Sequence, residues 1–530
     1  MTPASQRRVL SLVVLAGLCT SFSRASEMPG LTPKFIDALV AQDLPQLAAA
    51  AVINDEQFLR RASLDLIGRP PSTAEQAAFL ADSAADKRAK LIDRLLDSKE
   101  FGSHWANYWS DTISYRVPPP ELTFLSYKSF KGWLADRLNA NTPWDQLTRD
   151  LLTATGAVKD NPAATYVGYH RGNAPKLAAE TARVFLGLQL QCAECHNHKF
   201  DVWKRRQFHE LAAFFARAGG ALGGAQDGSS TVIKDKAKGE YEMPHPTNPK
   251  IKGNVMTPTT LTGETFALDK ADVERREFLA ASITKPENPW FAKSYVNRIW
   301  ARLLGRGFYE PVDDMADYRD HFLPKTHAAI AENFAATGFD VKNLFRQVMN
   351  TQAYQRETPL GVTMTKQPTV APPLSDKLTG EQVYAALAQG LGLPNFTPPA
   401  MKATGAIRFP PPPKSTCEVI ADKFSYDPSY APEEVSRTLG QAMLLMNNEQ
   451  VQKQINADPK SGTVLSKLLV KETDDKAAVA ALFQQLLARQ PNAKETAVAL
   501  EHIASVGQRG AAFEDLAWSL INTAEFTTRR

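Results

Sequence analysis

Apolar residues recur at three- and four-residue spacing through Asp55–Ile67, Ser72–Leu80 and Lys87–Leu96, and this period predicts a succession of amphipathic helices. Ser72 and Glu75 make a capping-box pattern directly after Pro70 and Pro71, which marks a helix start. The helical period returns over Leu125–Asn139, Trp144–Thr153 and Ala174–Leu190, the last of which delivers the chain into Cys192. Gln207–Arg217 reads as a further helix, stopped by Gly219 and Gly220. Between Ser229 and Thr262 the pattern changes to alternating Val, Ile, Lys and Tyr among glycines and prolines, so short strands or a hairpin are expected there. Helical spacing resumes near Asp272 and runs through Trp290–Leu304, Thr326–Gln352, Thr379–Leu391 and the C-terminal stretch, with proline-rich breaks at 368–373 and 394–413. The expected fold is mainly α. A helical domain spans residues 30–218, a Gly/Pro-rich insertion with short strands spans 219–270, and a C-terminal helical domain spans 271–530.

A weak repeat crosses this layout. Arg69-Pro70-Pro71 to Glu75, ending in Ser98-Lys99-Glu100-Phe101, resembles Arg489-Gln490-Pro491 to Glu495, ending in Thr523-Ala524-Glu525-Phe526. The two copies are too far apart for a solenoid and read as similar helical packing units.

The N-terminus changes the setting. Arg7 and Arg8 precede the apolar run Val9–Cys19 and small, polar residues through Ser26, the pattern of a secretory signal peptide over residues 1–25, cut after Ala25. That run is short for a membrane span and no later segment is longer and apolar, so an exported protein of the periplasm or cell envelope without an integral span is expected. Cleavage leaves Cys192, Cys195 and Cys417, too few for a disulfide-built fold. The formal net charge of +4 is small for 530 residues and its Lys and Arg are interleaved with Asp and Glu, which argues against a nucleic-acid partner.

Cys192-Ala193-Glu194-Cys195-His196 is the one stretch that names a chemistry. C-x-x-C-H is the attachment pattern of c-type haem: two thioethers hold the macrocycle and the adjacent imidazole ligates the iron. On that reading Cys192 and Cys195 bind one covalent haem c and His196 is the proximal ligand. Met243, Met256, His245 and His209 are the distal candidates, and Phe200, Trp203 and Phe208 line the pocket. His198 lies too close along the chain to reach the opposite haem face. A rival reading takes Cys192, Cys195, His196 and His198 as ligands of Zn or another thiolate-binding metal, with a further ligand from elsewhere because adjacent Cys195 and His196 strain a closed site. A redox thiol pair is a further reading, as is a structural or interaction protein of the envelope in which this region stabilises a loop with or without metal.

Asn297, Arg298, Trp300, Asp313 and Asp314 form a second polar group. Asp313 and Asp314 have the makings of an acid/base pair. The favoured reading is structural, since such residues more often fix a helix to its following loop through an Arg-to-Asp salt bridge and buried caps. No G-x-S-x-G, H-E-x-x-H, phosphate-loop or dinucleotide fingerprint occurs, and no reaction is assigned.

Three segments carry a family resemblance. They are Phe58-Leu59-Arg60-Arg61 with Gly68-Arg69-Pro70-Pro71; Ala182-Arg183-Val184-Phe185-Leu186-Gly187 through Cys192–His196 to His198, Phe200-Asp201 and Ala212–Phe215; and Val296-Asn297-Arg298-Ile299-Trp300 with Gly305-Arg306-Gly307 and Pro311-Val312-Asp313-Asp314. With these the chain resembles the planctomycete-type cytochrome c-like family of uncharacterised function, in which a cytochrome-like domain is paired with a C-terminal helical domain. The resemblance implies an exported haem protein in electron transfer or redox-linked envelope chemistry, with a redox protein as partner. Many relatives carry an additional N-terminal C-x-x-C-H absent from this sequence, so a single haem is expected. The family's frequent genomic company of exported sulfatases suggests, as a further alternative, an accessory protein or enzyme for exported polysaccharide breakdown.

Overall fold

In the computed structural model, which describes residues 31–44, 51–114, 127–221, 231–248, 250–357, 376–399, 413–430 and 434–529, the chain is mainly helical with a few small strand pairs. The expected signal peptide, residues 1–25, lies outside the described residues, as do the breaks at 368–373 and 400–412.

Capping chemistry sets many of the helix boundaries. Asn54 accepts from Gln57 N at 2.9 Å and opens Asp55–Ile67, while Ser72 and Glu75 close the capping box that opens Thr73–Ala81. Lys87–Leu96 buries Leu91, Ile92, Leu95 and Leu96, the three-and-four stripe its sequence carries. Three expected helices are interrupted. Gln207–Arg217 is α-helical only within Arg205–Ala212 and passes into a 3₁₀ turn, Ala213–Phe215. Ala174–Thr181 widens into a π-helical turn, Ala182–Leu186, and stops at Gly187 (φ 65°), short of Leu190. A Cβ at Gly187 would stand 3.0 Å from both Met315 Cε and Ser294 Oγ, so close packing as well as the positive φ asks for glycine. Thr326–Gln352 resolves into Pro324–Ala336, Val341–Met349 and Gln352–Gln355, because Gly338 and Phe339 take positive φ and Asp340 and Thr351 start new helices.

Gly219 and Gly220 belong to a strand, where the sequence suggested a helix stop. Ala218–Ala221 pairs antiparallel with Val232–Asp235, which pairs in turn with Gly156–Ala157. Glu242–Pro244 pairs with Lys252–Val255, placing a short ribbon in the expected insertion. A last pair joins Asp376–Lys377 to Thr528–Arg529.

Buried apolar side chains fall in two clusters, one running from Leu31 to Tyr354 and one from Leu378 to Phe526 that also takes in Leu64. The helix Asp55–Ile67 faces both, and its buried charges tie them together. Arg61 Nη1 donates to the carbonyls of Tyr354 and Arg356, both at 2.8 Å, and Arg60 donates to those of Thr528 (3.0 Å) and Glu525 (3.1 Å). Asp65 Oδ2 accepts from Tyr354 Oη at 2.7 Å and Arg529 Nη1 at 2.9 Å. Burial pushes the Asp65 carboxyl up, against the opposing pull of Arg529 and Tyr354.

The sequence repeat is a structural one. Arg69 donates through Nε to Glu100 (2.7 Å) and through Nη1 to Glu75 (2.8 Å); Arg489 does the same to Glu525 (2.7 Å) and Glu495 (2.8 Å). In each unit the arginine follows a left-handed residue and clamps the cap of the next helix to the end of the unit.

Candidate functional site

The C-x-x-C-H segment begins in a 3₁₀ turn, Gln191–Glu194, that buries Ala193 and turns Cys192, Cys195 and His196 to solvent. Both cysteines are free thiols. The loop beneath them is pinned at several points. Arg205 Nε donates to the Glu194 carbonyl at 3.1 Å, and Arg205 N donates to Asn197 Oδ1 at 3.0 Å. His209 Nε2 lies 2.9 Å from the same Glu194 carbonyl and its Nδ1 lies 2.8 Å from Tyr241 Oη. A carbonyl only accepts, so Nε2 carries the proton and Nδ1 accepts from the tyrosine. Burial lowers the pKa of His209 to about 4, and its neutral form completes this network.

His198 closes the far side of the loop. Its Nδ1 accepts from Asp201 N (3.0 Å) and Phe200 N (3.3 Å), its backbone N donates to the Trp203 carbonyl (2.9 Å), and its ring stacks on Tyr318 with centroids 6.3 Å apart. Tyr318 donates in turn to Asp314 at 2.8 Å, which links the loop to the segment after the helix Phe291–Leu304.

The residues do not assemble the haem or metal site that the motif suggests. Among the described residues no group of three or more His, Cys, Asp or Glu is placed to hold a metal ion, so the expected metal or haem site is not formed by these residues. The physical reason is visible at the candidate partners of the motif. His198 turns Nδ1 into its own loop, and His209 has both ring nitrogens engaged below the surface. Met256 is buried, Met243 lies half-buried in the strand Glu242–Pro244, and His245 is exposed with Nδ1 3.1 Å from Thr247 Oγ1. The expected aromatic pocket is absent in kind: Trp203 packs edge-on to Trp290, Phe208 packs in the core beside His209, and Phe200 is 76% exposed.

In the second polar group, Asn297, Trp300, Asp313 and Asp314 serve structure. Asn297 Oδ1 accepts from Phe308 N (2.6 Å) and Tyr309 N (3.1 Å), and its Nδ2 donates to the Val312 carbonyl (3.0 Å), fastening the helix Phe291–Leu304 to its following loop. Trp300 is buried against Phe308. The expected Arg-to-Asp salt bridge exists, but Arg183, from the π turn, makes it. Arg183 pairs with Asp313 at 3.4 Å and with Glu180 at 2.6 Å, and Gln189 donates to Asp313 at 2.8 Å. Asp314 pairs with Arg319 at 2.6 Å. Both carboxylates are buried and engaged, which leaves no acid/base pair facing a substrate. The sequence assigns no role to Arg183, Gln189 or Tyr318; the arginine inside an otherwise apolar helical run is the signal that singles it out.

Among the described residues no helix is long and apolar enough to cross a membrane. No curated protein and no solved structure matches the chain. Family models match two stretches: residues 35–219 are similar to PSCyt2, described as a protein of unknown function (DUF1549), and residues 275–397 to PSD1, described as a protein of unknown function (DUF1553). The chain thus combines stretches matching two planctomycete-type domain families of unknown function, and neither match confirms a cytochrome c relationship.

Proposed function

We propose that the chain is an exported, cofactor-free structural and interaction protein of the cell envelope, and that the loop of residues 191–203 is the element it offers to a partner protein. The observation that carries this reading is the make-up of that loop: Cys192, Cys195, His196, Phe200 and Val202 are exposed, while Glu194 and His198 anchor the backbone below. A loop already ordered by Arg205 and His209 loses little conformational freedom on contact, and exposed apolar side chains beside it supply area to bury. The chemistry open to its thiols is exchange. A thiolate of Cys192 or Cys195 attacks a disulfide of the partner, a mixed disulfide forms, and the displaced partner sulfur leaves as thiolate. Arg7, Arg8 and the apolar run after them support the exported setting, and the interleaved charge supports a protein rather than a nucleic-acid partner.

The test is to export the full chain from a host that carries haem-maturation machinery and to measure intact mass, visible absorbance and thiol alkylation of the folded protein. The expected result is the mass of the bare polypeptide, no Soret band, and alkylation of both Cys192 and Cys195 without denaturant. A Soret band with the mass of a haem adduct, or thiols that react only after unfolding, overturns the reading.

A further inference from the structure

Arg183 and Arg298 are neighbouring buried guanidinium groups with opposite fates. Arg183 is held by two carboxylates, Glu180 and Asp313. Arg298, fully buried on the helix Phe291–Leu304, donates through Nη2 to the Arg183 carbonyl at 3.0 Å, and its Nε and Nη1 have no hydrogen-bond partner among the described residues. A buried guanidinium with unsatisfied donors is costly, and donors of this kind mark the place of a water or anion.

The surroundings say which. Arg298 lines a cleft of about 20 Å³ together with Tyr108, Arg302, Glu310, Asp376 and Tyr426. Tyr430, 52% exposed, forms another wall, so the cleft reaches solvent there. The second cation is already neutralised: Arg302 Nη1 donates to Asp376 Oδ2 at 2.9 Å and to Tyr426 Oη at 3.2 Å. Arg298 is left to attract an anion, while the carboxylate of Asp376 on the same wall disfavours a multiply charged one. The space is that of about one or two waters, so only the charged head of a ligand enters.

The geometry points to a binding site for a small monoanion at Arg298, fitted to the carboxylate group of a ligand whose remainder lies outward past Tyr430. The carboxylate replaces the missing hydrogen-bond partner of Nε and Nη1 and neutralises the buried charge. Nothing in this site depends on the thiol loop.

The experiment titrates the full chain with sodium acetate by calorimetry, against sodium chloride at matched ionic strength, and follows thermal unfolding in the same series. The expected result is saturable one-to-one binding with a rise in Tm, weakened about tenfold or more in Arg298→Met. If that variant does not fold, Arg298→Lys, which keeps the charge and loses the planar donors, serves the same comparison. Absence of saturable acetate binding to the wild type, an equal response of wild type and variant, or tighter binding of phosphate than of acetate overturns the proposal.

Discussion

The helices Asp55–Ile67 and Asp475–Leu487 each run into a left-handed residue, Gly68 or Ala488, and then an arginine that ties two glutamates. Counted back from those arginines, however, the helices present different chemistry. Where the first carries Arg60, Arg61 and Asp65, the second carries Ala480, Ala481 and Gln485. The N-terminal copy therefore joins both apolar clusters through buried charge, while Gln485 makes a single kind of contact, donating to the Gln389 carbonyl at 2.8 Å. The repeated part of the motif builds a unit, and the unrepeated part decides what the unit holds.

The sharpest way to break this comparison is to remove the hub. Asp65→Ala leaves Arg529 buried without its carboxylate and is expected to cost about 3–5 kcal/mol in a denaturant titration, whereas Gln485→Ala costs about 1 kcal/mol. Equal losses at the two positions would mean that the units are interchangeable. The left-handed position gives a second contrast. A Cβ at Gly68 would stand 2.5 Å from His104 Nδ1, so Gly68→Ala is expected to lower stability by about 1–3 kcal/mol; Ala488→Gly relieves a strained φ of 56° and is expected to be neutral or to stabilise by about 0.5 kcal/mol in the same titration.

The clamps themselves should respond alike. Each arginine is mostly covered and its glutamates are partly exposed, so Arg69→Ala and Arg489→Ala are each expected to cost about 1–2 kcal/mol after allowing for screening by water. Burial pushes the Glu75 carboxyl up, but hydrogen bonds from Arg69 and Ser72 outweigh it and bring the pKa to about 2. A carboxylate lowered in the folded state contributes stability that is complete above the unfolded value, about 4.3, and is lost as pH falls through the folded one. Unfolding measured between pH 5 and about 2 should therefore steepen in the wild type and flatten in Arg69→Ala. The smallest effect is expected at the surface loop: Cys192→Ser and Cys195→Ser should each change stability by less than about 0.5 kcal/mol, since both thiols face solvent. A larger loss would place them in packing contact and undercut the reading of the loop as a contact element.

Local signals carried far where the cap and the apolar stripe agree. Asp55–Ile67, Lys87–Leu96 and Trp144–Thr153 follow the helical period residue for residue, and Ser72 with Glu75 starts its helix as the pattern requires. They failed where tertiary contacts decide. Gly187 ends a helix because Met315 and Ser294 crowd it, and Gly219 and Gly220 become strand because Val232–Asp235 returns beside them. The candidate site shows the same limit. The C-x-x-C-H spacing is plain in the chain, but which ring nitrogens remain free depends on Glu194, Tyr241 and the amides of Phe200 and Asp201, partners that no spacing reveals.

Asp65 and Arg529 stand 464 residues apart in the chain. At ribosomal rates of about 5–20 residues per second, roughly 20–90 s separate the appearance of the carboxylate from that of the guanidinium it needs. Throughout that interval the N-terminal helices are without the contact that seals them to the second cluster. The growing chain lacks this buried ion pair until its last residues have been made.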